Sequence, residues 1–358
     1  MGWTLVNICD LCDSVSATYS SGADMVTLVN TSDVLDGKFL NTNKVLNKNL
    51  KGQFKKTFQK GDILYSEIRP INKHFAYVDF DATDHIASTK LMVLRAKPNV
   101  NSLFLYHILK NKSTLVQLQA LAEARSGTFP QITYSEMANV HCFLPDRATQ
   151  DRIVAILSSI DDKIELNRRI NANLEQQAQA LYKSWFVDYE PFGGKMPEDW
   201  REGTLGEICT CYLGGTPSRT KSEYWSGNIP WINSGEVNKF RIIEGSEFIT
   251  ELGLKNSATK LLPKKTTVLA ITGATLGQVS LLEIDSCANQ SVIGILENKC
   301  IPYEFIYPLI KNDIDKIIRH QTGGAQQHIN KNNIESHRVI IPDTKTMETI
   351  QSDSSSSI

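Results

Sequence analysis

The sequence lacks any apolar run near the ~20 residues that cross a bilayer, which excludes a membrane-spanning helix. It lacks a basic start followed by an apolar stretch, so secretion is not expected. Position 3 is a bulky Trp and position 6 a Val, unlike a myristoylation start. A surplus of charge is missing too: 38 basic residues oppose 39 acidic ones, for a net charge of −1. No global field therefore draws nucleic acid, and any anion-binding surface must be local. The seven cysteines (Cys9, Cys12, Cys142, Cys209, Cys211, Cys287 and Cys300) are odd in number and scattered. That usage fits a reducing cytoplasm rather than a disulfide framework.

Catalytic signatures are also missing. There is no G-x-x-x-x-G-K-[ST] phosphate loop and no G-x-S-x-G elbow. The glycines of "TGATLGQ", 272–278, do not have dinucleotide spacing, and the seven histidines show no ligand spacing. Cys9-x-x-Cys12 could open a zinc site, but the nearest second pair is Cys209-x-Cys211, so reduced structural cysteines are the stronger reading. "NIPW", 228–231, differs from the Asn-Pro-Pro-aromatic motif of amino-methyltransferases at its second position and reads as a turn leading into a strand. Asp161 and Asp162 fall on a helical stretch and read as a solvated face. The chain is expected to catalyse nothing alone.

What the sequence does contain is itself, twice. "TLVNIC" at 4–9 returns as "TLGEIC" at 204–209, "SLFLYHILKN" at 102–111 as "YEFIYPLIKN" at 303–312, and "GTFPQITYSEMANVHCFLPD" at 127–146 as "GAQQHINKNNIESHRVIIPD" at 324–343. Three matches in one order, offset by 197 to 201 positions, predict two copies of one domain. Each copy reads as short β-rich runs ("DILYSEI", "FAYVDF"; "TTVLAIT", "QVSLLEI"), a helix over about 102–124 or 303–320, a turn, and a strand ending in Pro-Asp. The fold class is α/β (α+β), divided as 1–146, a linking helix 147–192, 193–343, and a tail 344–358.

The link is a long periodic stretch. Asp146 can cap it, and Ile153, Leu157, Ile160 and Ile164, then Leu174, Ala178, Leu181 and Trp185, recur with the alternating four-and-three spacing of a coiled coil. Asn167 and Asn171 either sit in that seam or are turned out while Leu166 and Ile170 face in. About 38 residues span ~57 Å, and such a helix needs a partner for its stripe. After the second copy only one further turn is expected, at Ile350, before Ser354–Ser357 fray it.

Two stretches suit DNA. "KVLNKNLKGQFKKTFQK", 44–60, offers Lys44, Lys48, Lys51, Lys55 and Lys56 without an acid among them. "GGTPSRTKSEYW", 214–225, offers Thr216, Ser218, Arg219 and Lys221 behind two glycines, and Arg219 can reach a guanine edge. Each also has a plain reading as a surface loop. Arg69, with Thr128 and Gln131 in the first closing turn and Gln326 and Gln327 in the second, completes the candidate DNA-contacting set.

Together these stretches resemble the specificity (S) subunit of Type I restriction-modification systems. "LPDRATQDRIVAILSSIDDKIELNRRINANLEQQAQALYKSWFVDYEPF", 144–192, is similar to that family's central conserved spacer. "LGGTPSRTKSEYWSGNIPWINSGEV", 213–237, continued by "ITGATLGQVSLLE" and "ANQSVIGIL", is similar to one common target-recognition domain. The first domain matches by position and by its "GTFPQI" turn.

The resemblance implies a non-catalytic subunit that binds double-stranded DNA. Each domain would read one half of a split, asymmetric site. The helix would set the spacing and dock methyltransferase (M) subunits, which carry S-adenosylmethionine and methylate adenine; a motor-nuclease (R) subunit would join them. Half-sites read from one face of DNA lie about one turn, ~34 Å, apart. Full-length members end with a second, antiparallel spacer helix. Its expected shortness here implies either C-terminal truncation, leaving an inactive remnant, or a helix supplied by a second S chain or fragment. A coiled-coil interaction protein without DNA specificity, and an enzyme with an unfamiliar site, are the competing readings.

Overall fold

The computed structural model describes residues 2–50, 52–125, 128–319 and 328–355, the last four of these by backbone alone. The chain divides into two compact units, Met1–Asn167 and Arg168–Ile358, a division that falls inside the linking helix.

In the first unit a four-stranded antiparallel sheet runs in the order Cys12–Val15, Leu91–Ala96, Ile63–Ser66, Phe75–Tyr77. Its central strands are buried on both faces, which explains their unbroken apolar runs. Ile63, Tyr65, Met92 and Leu94 face the helices Ser102–Lys110 and Lys112–Arg125 through Leu105, Leu109, Leu115 and Leu118. Leu64, Leu91 and Val93 face a second sheet through Val29 and Ala87. That sheet runs Lys44–Leu46, Met25–Val29, His85–Ser88, Phe54–Lys56. The expected single helix over 102–124 is broken at Asn111. Its ψ of 138° is extended, and its side chain accepts from Ser113 N and Oγ at 2.9 and 2.8 Å.

The second unit repeats the plan. Its main sheet runs Thr210–Leu213, Val292–Leu296, Thr267–Ala270, Val279–Leu282, with Arg241–Ile242 added in parallel at the edge. Leu269, Ile293 and Ile295 face the helix Tyr303–Ile318, while Val268, Ala270 and Val292 face the other way. "NIPW" is not a turn: it lies inside the strand Trp225–Ile232, whose register shifts between Trp225 and Ile229. The second sheet keeps its parallel pair in both copies, His85–Ala87 on Thr27–Val29 and Cys287–Ala288 on Trp231–Ile232.

The repeat is real, but one of its expected registers is corrected. In the first unit Thr4 opens a strand and Asn7 caps the four-residue helix Ile8–Leu11, with Asp10 closing a capping box. In the second, Thr204 is the cap of Leu205–Ile208, and Glu207 closes its box. Asn7 therefore corresponds to Thr204, 197 positions on, and "TLVNIC" and "TLGEIC" align three residues away from their shared letters. The cysteines agree: Cys12 Sγ donates to Ile8 O and Cys209 Sγ to Leu205 O, at 3.7 and 3.0 Å. The other two matches hold. Phe104, Leu105, Tyr106 and Leu109 are buried as Phe305, Ile306, Tyr307 and Ile310 are. The closing turns make the bridges Ile68↔Gln131 and Thr272↔His328.

The linking helix is one element of 40 residues, Arg147–Phe186, and ends six residues before the expected boundary at 192, where a separate turn, Glu190–Phe192, follows. Asp146 caps it as expected, accepting from Thr149 N at 2.8 Å. In the first unit it is held by Val154 in the core and by Gln150, whose Oε1 accepts from Asn101 N at 2.9 Å. In the second unit it is held by aromatic rings: Tyr182 and Phe186 lie 5.7 and 5.0 Å from Phe305, and Phe186 stacks on Trp200 at 5.4 Å. After the second copy a helix runs Thr344–Ser355, longer than the one turn expected and into the serine run. Met347 is buried and Ile350 lies against the core, so tertiary contact overrides the poor propensity of serine. Positions 356–358 lie outside the described residues.

Candidate nucleic-acid interface

The lysine-rich stretch of the first unit does not form one stripe. Lys44 begins the strand at one edge of the second sheet, and Lys55 and Lys56 lie on the strand at its other edge. Three inter-strand spacings separate those edges, about 14 Å. Lys44 pairs with Asp84 at 2.6 Å, and that bond holds the Asp84 carboxyl below its ordinary range. Lys48 and Lys55 are exposed. Lys56, on the opposite face of its strand from Lys55, is half-buried and donates to Leu91 O at 2.8 Å. Burial lowers the pKa of its ammonium. Lys56 thus stitches two strands together and is not presented to a phosphate. Lys51 lies outside the described residues.

Arg69 and Gln131 are brought together. The bridge Ile68↔Gln131 and the bond from Arg69 N to Pro130 O, at 3.1 Å, set them side by side. Arg69 is exposed at φ +42°, an uncommon left-handed conformation for a side chain of this size. Thr128 is exposed three residues before Gln131. Gln326 and Gln327, in the second closing turn, lie outside the described residues.

In the second unit the loop 214–225 is built around two tryptophans. The glycines that open it approach the protein's own backbone: a Cβ on Gly214 would lie 2.0 Å from Asn289 O, and one on Gly215 2.6 Å from Thr259 N. Trp231 is buried and donates Nε1 to Gly215 O at 3.0 Å. Trp225 meets it edge to face at 5.2 Å. Arg219 lies over the Trp225 ring at 3.6 Å and pairs through both terminal nitrogens with the carboxylate of Glu247. Thr216 bonds Gln290, Ser218 bonds Thr220 at 2.9 Å, and Lys221 donates to Tyr224 Oη at 3.0 Å. All four named candidates therefore already have partners, Ser218 and Lys221 within the loop and Thr216 and Arg219 outside it. Glu247 carried no local signal, because it comes from a different strand, Glu247–Ile249.

The apolar stripe of the linking helix divides. Ile153 and Leu157 are half-buried, and Trp185 packs against Phe186 and Phe192, so these three belong to the units' own cores or rims. Between them Ile160, Ile164, Leu174 and Leu181 are 45 to 60% exposed, and Leu166 and Ile170 are exposed as well. The buried anchors Val154, Tyr182 and Phe186 were not among the expected positions. Tyr182 and Phe186, four apart and both aromatic, carried a visible signal for one buried face.

Among the described residues no three His, Cys, Asp or Glu side chains come together as a metal site, and no helix is long and apolar enough to cross a membrane. Burial raises the thiol of Cys12 to about 12, so it is a poor thiolate ligand as placed.

The family described as Type I restriction modification DNA specificity domain matches residues 1–176 and 197–352. The chain is 30% identical to the Type I restriction enzyme HindI specificity subunit of Haemophilus influenzae, over 92% of this chain and 87% of that one. It is 26% identical to the MjaIX specificity subunit of Methanocaldococcus jannaschii, over 80% and 68%. The crystal structure of a Type I restriction-modification system S subunit from M. genitalium superposes with a TM-score of 0.53 at 17% identity, covering 99% of this chain and 93% of that one, a likeness of fold. The family match takes in both units and most of the helix between them: this chain belongs to the Type I restriction modification DNA specificity domain family.

Proposed function

We propose that the chain is the DNA-sequence recognition subunit of a Type I restriction-modification complex, each unit reading one half of a bipartite, asymmetric site. The observation that carries this reading is the family match over both copies of a duplicated two-sheet unit. Exposed cations in the first unit, Lys48, Lys55 and Arg69, and the clamped Arg219 in the second supply phosphate and base contacts. The chain itself is non-catalytic. Methyl transfer to adenine falls to M subunits, which hold the S-adenosylmethionine, and cleavage to an R subunit, all in the cytoplasm.

The exposed residues Ile160, Ile164, Leu174 and Leu181 support docking of the M subunits on the linking helix, since a helix face this apolar gains by being covered. A second S chain or fragment is the other supplier of a covering helix. The mass of the isolated chain in solution separates the two: a monomer supports M alone, a dimer the second chain.

Co-expression with M subunits, followed by mapping of methylated adenines in host DNA, tests the function. The expected outcome is methylation confined to one split sequence and dependent on both proteins. Methylation by the purified chain with S-adenosylmethionine and DNA, without M, would contradict it.

A further inference from the structure

The Arg219 guanidinium is fixed in two directions at once. Stacking on Trp225 at 3.6 Å sets its plane, and the paired Glu247 carboxylate sets its rotation within that plane. The platform is itself secured: Trp225 Nε1 donates to Ser218 O at 3.2 Å, and Trp231 buttresses the ring from the edge. A guanidinium carries five N–H donors, and end-on pairing with a carboxylate engages two of them. The side edge, Nε–H with one outer N–H, is left over. Among the described residues Glu247 is the one acceptor bound to Arg219, whose side chain remains 54% exposed.

We propose that Arg219 reads a guanine through this free edge and that Glu247 and Trp225 are its positioning residues, making the clamp a specificity determinant of the second unit. The inference rests on the DNA-recognition reading above. Guanine O6 and N7 form a planar pair of acceptors that suits two parallel N–H donors. A loose arginine would reach whichever phosphate came near, adding salt-dependent affinity without sequence information. Glu247 opposes that escape, because a guanidinium leaving for a phosphate abandons a charged partner and brings its carboxylate toward DNA. The unit thus holds one cation back from the backbone and presents it, oriented, to base edges.

The test uses the complex assembled with M subunits and a plasmid library, with methylated sites read at single-base resolution. Arg219→Ala should relax one guanine position in one half-site by about 10- to 100-fold and leave the other half unchanged. Arg219→Lys should not restore it, because an ammonium has no plane to present. Glu247→Ala, and Glu247→Gln as the isosteric control, should relax the same position while binding of random-sequence duplex rises and its salt slope steepens by about 1. If Arg219→Ala weakens all sequences alike, lowers the salt slope by about 1 and leaves the site unaltered, Arg219 is a phosphate contact and the proposal is overturned. If Arg219→Ala relaxes a guanine but both Glu247 variants keep the wild-type site and slope, the positioning role fails. No sequence-restricted methylation by the wild-type complex would overturn the recognition reading itself, and the clamp with it.

Discussion

Tyr307 donates its hydroxyl to Glu175 of the linking helix at 2.7 Å, and Lys311, one turn further on, approaches the same carboxylate at 3.8 Å. The first unit has the counterpart at the position equivalent to Lys311: Lys110, 201 positions earlier, reaches Asp161 of the helix at 3.2 Å. Each copy of the repeat thus grips its own part of the helix through the same face of the same recognition-domain helix.

Tyr307→Phe removes one hydrogen bond to a charged group and should cost about 1.5–3 kcal/mol in the second unit. Urea unfolding of the full chain, followed by Trp200 and Trp185 fluorescence, checks this. A change confined to the first unit would argue against the anchor.

Phe186→Ala empties a site between Phe305, Trp200 and Tyr182 and should cost about 3–5 kcal/mol. Leu174→Asp and Leu181→Asp, on the exposed stretch, should change stability by no more than about 0.5 kcal/mol yet abolish co-purification with M. Retained M binding at unchanged stability would remove the helix stripe from the docking surface.

Among the lysines the structure separates neighbours. Lys55→Ala and Lys48→Ala should each lower the salt dependence of DNA binding by about 1 in slope and leave folding intact. Lys56→Ala should instead lower stability, because its ammonium is bound to Leu91 O. Equal salt effects from Lys55 and Lys56 would contradict the opposed faces of that strand.

Much of this was legible beforehand. The duplication, the length of the linking helix and its Asp146 cap were all open to reading, because periodicity and turn residues are local. What was hidden depends on contacts between distant segments. Asn7 and Thr204 perform one task with different letters, since several short polar side chains cap a helix equally well. The chance echo of "TLVNIC" in "TLGEIC" pointed three residues astray. Lys55 and Lys56 look alike in a basic run, and only recognising a strand at Phe54–Lys56 would have turned them to opposite sides. The glycines at 214 and 215 open a stretch that suits DNA, but what they admit is the backbone at Asn289 and Thr259. Nothing local to Arg219 announces that Glu247 will meet it.

Acid sensitivity should centre on Asp313. Burial raises its carboxyl, but hydrogen bonds from His337 at 2.9 Å and Lys316 at 2.7 Å outweigh that and hold its pKa below the ordinary 3.8. A depressed pKa contributes stability that is present above about 3.8 and is lost as pH falls through the lower folded value. Asp313→Asn should therefore lower stability at neutral pH and flatten its fall below about pH 4. Parallel pH profiles for the variant and the wild type would exclude this cluster as a source of acid sensitivity.

Each unit is proposed to read its own half of the DNA site, and one exchange tests that division. Residues 193–343 are exchanged for the corresponding segment of the HindI specificity subunit, and methylation by the chimera with M is mapped. One half of the split site should change while the other half stays as in the parent. A change in both halves, or in neither, would contradict it.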